Sequence, residues 1–150
     1  MKKQQIIEIC LLVGLSIVIG FLYTYITHQG FFAPPKQAKA HQQLEIIALP
    51  QAKEAYYSGS VRFIDARNEF EFKLGHIRGA IDIPLHDFDR YQTVLSEIPK
   101  DVLLIVYCDG VQCNSSIELA KKLSELGFSN IKVFFGGWQE WRTAGLPITQ

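Results

Sequence analysis

The sequence predicts an α/β domain, a parallel sheet flanked by helices, preceded by one transmembrane helix. Three observations predict it. Strand-like and helix-like segments alternate from about Leu44 onward. The run VLLIVY at 102–107 is apolar throughout, as suits a strand buried on both faces, and residues 6–26 carry a single charge, Glu8, near their start.

With 150 residues, and an apolar segment subtracted from the front, the chain holds one globular domain and one site. Fifteen Lys and Arg balance fifteen Asp and Glu, so no long-range field steers the chain toward nucleic acid, which is not expected as a partner. The three cysteines, Cys10, Cys108 and Cys113, are too few and too oddly spaced for a multi-disulfide framework.

Residues 1–27 read as the N-terminal anchor. At about 1.5 Å per residue the apolar run spans roughly 30 Å, the thickness of a bilayer core. Lys2 and Lys3 precede it and the next lysines are Lys36 and Lys39, which predicts a cytoplasmic N-terminus and an extracytoplasmic, periplasmic-type domain. Tyr23, Tyr25, Phe31 and Phe32 are expected at the far interface. A cleaved signal ending at AKA, residues 38–40, is the competing reading, but the apolar run exceeds the usual ~7–15 residues of a signal and Pro34 and Pro35 intervene. Both readings export the domain. Residues 28–43 read as a tether and 44–150 as the domain.

Within it, LPQAKEAYYSG is expected to be helical, VRFIDA a strand, NEFEFKLG a turn of helix, and AIDIP a strand stopped by Pro84. HDFDRYQTVLSEIP reads as one amphipathic helix ending before Pro99, and VLLIVY as the sheet centre. SSIELAKKLSELG places Ile117, Leu119, Ala120, Leu123 and Leu126 on one helical face and stops at Gly127. IKVFF is then a strand and WQEWRTAG a short helix.

Ligand sites of parallel sheets lie beyond the carboxyl ends of the strands, and Cys108 follows VLLIVY there. A reactive thiolate needs surroundings that stabilise negative charge. The backbone N–H groups of residues 109–116 are expected to curl around the Cys108 sulfur beneath the positive end of the next helix. Gly110 is expected to supply unusual dihedrals and Ser115 or Ser116 the N-cap. Asp109, Gly110, Val111, Gln112, Asn114, Ser115 and Ser116 thus form the candidate substrate-binding loop. Cys113 is either a resolving thiol within disulfide reach of Cys108 or a filler of the loop interior. In an oxidising compartment the two could form a disulfide.

FIDARNEFEFKLGHIRGAIDIP, VYCDGVQCNSS and GFSNIKVFFGGWQEWRTAGLPI resemble, in order and spacing, three motifs of the rhodanese family, over about residues 44–149. The resemblance implies a sulfurtransferase without cofactor or metal, in which the Cys108 thiolate takes sulfane sulfur as a persulfide and passes it to a nucleophile. It implies as partners a small sulfur-containing anion or a protein thiol, with the N-terminal helix meeting the membrane. Asp65, Arg67, Gly75, His76 and Gly79 match fold-building positions. Arg67 either pairs with Glu69 or Glu71 or contacts the anion, and His76 is a structural turn residue or a proton carrier. Gly136 and Gly137 allow close backbone approach, and Trp138 and Trp141 are core or lid aromatics.

The chain departs from that family in its loop, which is about two residues longer than usual and holds no arginine, so a wider anion pocket is expected. Asp109 raises the thiol pKa if it points inward. A phosphatase would need an arginine six positions after the cysteine, where Asn114 stands. Cys108 and Cys113 form no zinc-ligand spacing with His28, His41, His76 or His86. A thiol–disulfide redox protein and a non-catalytic binding module remain as alternatives.

Overall fold

The computed structural model describes residues 3–27 and 44–150, which fall into two units. The expected tether over 28–43, with Phe31, Phe32 and the AKA segment, lies outside the described residues.

The first unit is one helix, α1 (Lys3–Thr27), long and apolar enough to cross a membrane. Its polar side chains turn back on the helix itself. Ser16 donates to the Val13 carbonyl at 2.8 Å and Thr24 to that of Phe21 at 2.8 Å, so neither hydroxyl needs an outside partner.

The second unit contains β1 (Glu45–Ile47), α2 (Leu49–Ser58), β2 (Val61–Asp65), α3 (Glu69–Leu74), β3 (His76–Ile77) and β4 (Ile81–Asp82). A tight helical turn (Leu85–Tyr91) follows, then α4 (Gln92–Ser96), β5 (Leu103–Tyr107), α5 (Ser115–Glu125), β6 (Ile131–Phe134), α6 (Gly137–Thr143) and β7 (Ile148–Thr149). Five strands form a parallel sheet in the order β1-β6-β5-β2-β4, with β5 at its centre as its unbroken apolar run requires. Alternate side chains feed two cores. Leu104 and Val106 meet Leu119, Leu123 and Val133 on one face, and Ile105 and Tyr107 meet Phe63, Phe134 and Trp141 on the other. A second, two-stranded sheet pairs β3 antiparallel with β7.

Two expectations need correction. Residues 86–98 are not one helix. Pro84 fixes the approach of the chain, and the Asp87 backbone (φ −115°, ψ 18°) leaves the helical region, which splits the segment into a tight turn and α4. The N-cap of α5 is Asn114, with no side-chain cap bond, rather than Ser115 or Ser116. The helix does stop at Gly127, whose φ of +91° lets the Gly127 and Phe128 N–H groups donate to the Ser124 and Leu123 carbonyls at 3.0 and 3.2 Å. By contrast α3 carries a full capping box. The Asn68 side chain accepts from the Glu71 N–H at 2.9 Å, and the Glu71 carboxylate accepts from the Asn68 N–H at 3.2 Å.

Candidate functional site

The carboxyl ends of β2 and β5 lie side by side, with Asp65 opposite Tyr107, and each strand runs into a loop bearing candidate residues. Asp65 and Arg67 are buried, 0% and 6% exposed. The Asp65 carboxylate accepts from Arg67 Nη2 at 2.7 Å, from Nε at 3.0 Å and from the Arg67 backbone N–H at 3.0 Å. Nη2 also donates to the Gly75 carbonyl at 2.8 Å, and Trp138 covers the guanidinium at 4.9 Å. Burial opposes the charge on Arg67, but the bonds to Asp65 outweigh it and hold the guanidinium above its ordinary pKa. The expected pairing with Glu69 or Glu71 is therefore corrected to Asp65. Glu69 pairs with Lys73 and Glu71 caps α3.

His76 is built into a turn. Its Nδ1 lies 3.0 Å from the Phe72 carbonyl, and its ring stacks on Phe72 at 3.8 Å. Trp141 is fully buried and donates to the Pro147 carbonyl at 3.0 Å. Gly79 holds a left-handed turn at φ +82°. Next to Asp65 in register, Asp82 keeps one carboxylate oxygen buried without a partner. Burial, then repulsion from Asp65 and Glu69, pushes its carboxyl up to about 6.

At the end of β5, Cys108 is 2% exposed. Its thiol lies 3.1 Å from the Cys113 carbonyl, 3.9 Å from that of Gly110 and 3.4 Å from the Ser116 hydroxyl. Carbonyls accept the proton of a thiol and repel a thiolate. Burial, then the hydrogen bond to Cys113, pushes the Cys108 thiol up to about 11. The N–H cradle expected around Cys108 is divided: the Ser116 backbone N–H and hydroxyl favour the Cys108 thiolate without overcoming burial, and the larger share of the donors is gathered at Cys113. Burial opposes ionisation there too, but the Cys108 thiol, the Ser115 hydroxyl and the backbone N–H groups of Ser115 and Asp109 all favour the Cys113 thiolate and lower its pKa. Of the two thiols, Cys113 is therefore the one whose ionisation the loop favours.

The shape of the loop explains this exchange. A turn in which the Cys113 N–H donates to the Gly110 carbonyl at 2.9 Å folds Cys113 back over Cys108. Gly110 does not supply the left-handed conformation; Gly137 does, with φ +60°. A Cβ at Gly137 would lie 2.3 Å from the Cys108 carbonyl oxygen, so only glycine admits α6 this close. Trp138 and Gln139 then donate backbone N–H groups to the Cys108 and Asp109 carbonyls at 2.8 and 3.0 Å. The Asp109 carboxylate turns aside to the Gln139 side-chain amide at 2.6 Å. Val111 and Gln112 are exposed at the loop tip beside Asn114.

A cavity of about 310 Å³ opens between the two strand ends. Arg67, Asp109, Cys113 and Ser115 line it, together with Ala66, Asn68, Glu71, Leu85 and His86; Cys108 does not reach its wall. Glu71 and His86 were missed by the sequence reading, although the Asn68-x-x-Glu71 capping pattern fixes where the glutamate sits. Among the described residues no group of three or more His, Cys, Asp or Glu converges as metal ligands would.

The family model described as Rhodanese-like domain matches residues 49–144. A segment of 94 residues is 34% identical to the HTH-type transcriptional regulator Rv0324 of Mycobacterium tuberculosis, covering 62% of this chain and 39% of that protein. Another of 112 residues is 27% identical to tRNA uridine(34) hydroxylase of Photorhabdus laumondii, covering 69% and 31%. The chain thus spans under two fifths of the length of these curated relatives. Among solved structures, a rhodanese-related protein of Thermoplasma volcanium superposes with TM-score 0.57 at 27% identity, covering 70% of this chain and 97% of that one. The human single-domain sulfurtransferase TSTD1 shares the fold with TM-score 0.57 at 21% identity, covering 65% and 95%.

Proposed function

The chain belongs to the rhodanese-like domain family, and from that premise we propose that it is a membrane-anchored sulfurtransferase carrying sulfane sulfur as a persulfide on Cys108. The observation that carries this reading is a thiol at the carboxyl end of the central strand, hydrogen bonded to the backbone carbonyl of Cys113, whose own side chain lines a cavity. Cys108 attacks the outer sulfur of a donor R–S–SH. The bond within the donor breaks, R–S⁻ takes up the Cys108 proton and leaves as R–SH, and the sulfane sulfur stays on Cys108.

The cavity wall narrows the class of donor. Glu71 and Asp109 line it with carboxylates whose hydrogen bonds go to the uncharged Asn68 and Gln139 and leave the charges unneutralised, while the guanidinium of Arg67 is already neutralised by Asp65. A dianion such as thiosulfate meets net repulsion there, so an alkyl or protein persulfide of low charge is the better fit. In this reading α1 is the anchor, and Lys2 and Lys3 ahead of it favour a cytoplasmic N-terminus with the domain outside. Protease treatment of intact cells tests this orientation, since protection of residues 44–150 would reverse it.

The chemistry is tested on the full chain in detergent micelles, with Cys10→Ser throughout, by intact-mass analysis after cysteine persulfide treatment. Cys113→Ser should gain the mass of one sulfur atom and Cys108→Ser none. No added sulfur in Cys113→Ser, with cysteine persulfide or with thiosulfate, overturns the reading.

A further inference from the structure

Cys113 has surroundings of its own that the loading step does not use. It lines the cavity while Cys108 lies behind it, and two backbone N–H groups and a hydroxyl favour ionisation of its thiol. The Gly110 turn also sets the Cys113 backbone 3.1 Å from the Cys108 sulfur, so a rotation about the Cys113 side chain alone sweeps one sulfur toward the other.

We infer that Cys113 is a resolving thiol, which attacks the inner sulfur of a Cys108 persulfide, closes a Cys108–Cys113 disulfide and expels the sulfane sulfur as hydrosulfide. This rests on the persulfide reading above and names how that site is discharged. The step balances as Cys113–S⁻ plus Cys108–S–SH giving Cys108–S–S–Cys113 plus HS⁻. The bond between the cysteine sulfurs forms, the bond from Cys108 to the sulfane sulfur breaks, and its electron pair leaves with hydrosulfide. The two cysteines are oxidised and the sulfane sulfur is reduced, so the donor itself is the oxidant.

Position decides which nucleophile wins. An external acceptor must enter the cavity and align there, whereas Cys113 is already tethered five residues away on the cavity wall, in surroundings that favour its thiolate. The same placement sets the reset. In the disulfide, the Cys113 sulfur is the one the cavity presents, so an incoming dithiol attacks there, frees Cys108 and then closes its own disulfide. The chain thus turns a persulfide and a dithiol into hydrosulfide, a thiol and an oxidised dithiol.

The experiment uses the full chain in detergent micelles, anaerobic, with Cys10→Ser, given one equivalent of cysteine persulfide. Hydrosulfide is measured by trapping and the cysteines by intact mass and peptide mapping. Wild type should release one hydrosulfide per chain, end two hydrogens lighter than the dithiol, and yield a peptide pair linked through Cys108 and Cys113. Cys113→Ser and Cys113→Ala should keep the added sulfur about tenfold longer or more and release none. The inference is overturned if wild type holds its sulfur as long as these variants, or if they release hydrosulfide as fast as wild type. If the Cys113 variants never take up sulfur, it is the persulfide reading that fails.

Discussion

The two neighbouring strand ends face the same cavity with opposite designs. At the end of β2, Asp65 and Arg67 are buried, paired through several hydrogen bonds and covered by Trp138. At the end of β5, two thiols of opposite acidity sit inside a loop whose tip residues are exposed to solvent. A buried ion pair is useful only if it never comes apart, because either partner alone is an uncompensated charge. Sulfur is soft, weakly solvated and tolerant of either protonation state, so the second end can change charge without unfolding its surroundings. One end gives the cavity a fixed wall and the other gives it chemistry.

Breaking the fixed end should have the largest effect. Asp65→Ala strands the Arg67 guanidinium in the interior and should cost about 4 kcal/mol, read from denaturant unfolding of the full chain in micelles. A variant within 1 kcal/mol of wild type, on the scale of about 0–1 kcal/mol for exposed pairs, would show that water reaches the pair. Gly137→Ala strikes the hinge between the two ends. It demands φ +60° of an alanine and pushes a methyl against the Cys108 carbonyl, for about 2 kcal/mol, and it should change the alkylation pattern of the cysteines.

Asp82 sharpens the comparison because it is the one flawed part of the fixed end. Its folded pKa of about 6 lies above the ordinary 3.8, so the stability it permits is whole below that lower value and declines as pH rises through about 6. Asp82→Asn should therefore stabilise the chain by about 1 kcal/mol at neutral pH, after allowance for solvent screening, and the gain should vanish below about pH 4. A pH-independent gain would mean that the carboxylate does not titrate there. The smallest energies concern the thiols. At neutral pH iodoacetamide should label Cys113 ahead of Cys108, with Cys108 reacting fully only as pH approaches about 11. Faster labelling of Cys108, seen by peptide mapping, would place the thiolate on the other sulfur.

Much of the fold was legible because it follows from periodicity. VLLIVY could only be an inner parallel strand, and α5 shows its buried stripe at Leu119, Ala120 and Leu123. What escaped depended on one dihedral or on distant partners. Asp87 breaks a helix that binary pattern alone would continue. The pairing of Ile148 with Ile77 joins segments whose contact no local signal announces. Within the site, the motifs located the loop but not which way its peptide groups turn. A hydrophobic pattern carries no information on whether Gly110 and Cys113 aim N–H or C=O at the Cys108 sulfur, and that choice bears on which cysteine ionises more readily.

The close approach at Gly137 has a consequence in time. The backbone groups that hold the Cys108 and Asp109 carbonyls come from Trp138 and Gln139, further along the chain than either cysteine of the loop. Synthesis proceeds from the N-terminus, so a ribosome presents both cysteines before it presents their clamp. During that interval the strand end lacks these partners. Arrival of α6 is what closes the loop against the end of the central strand.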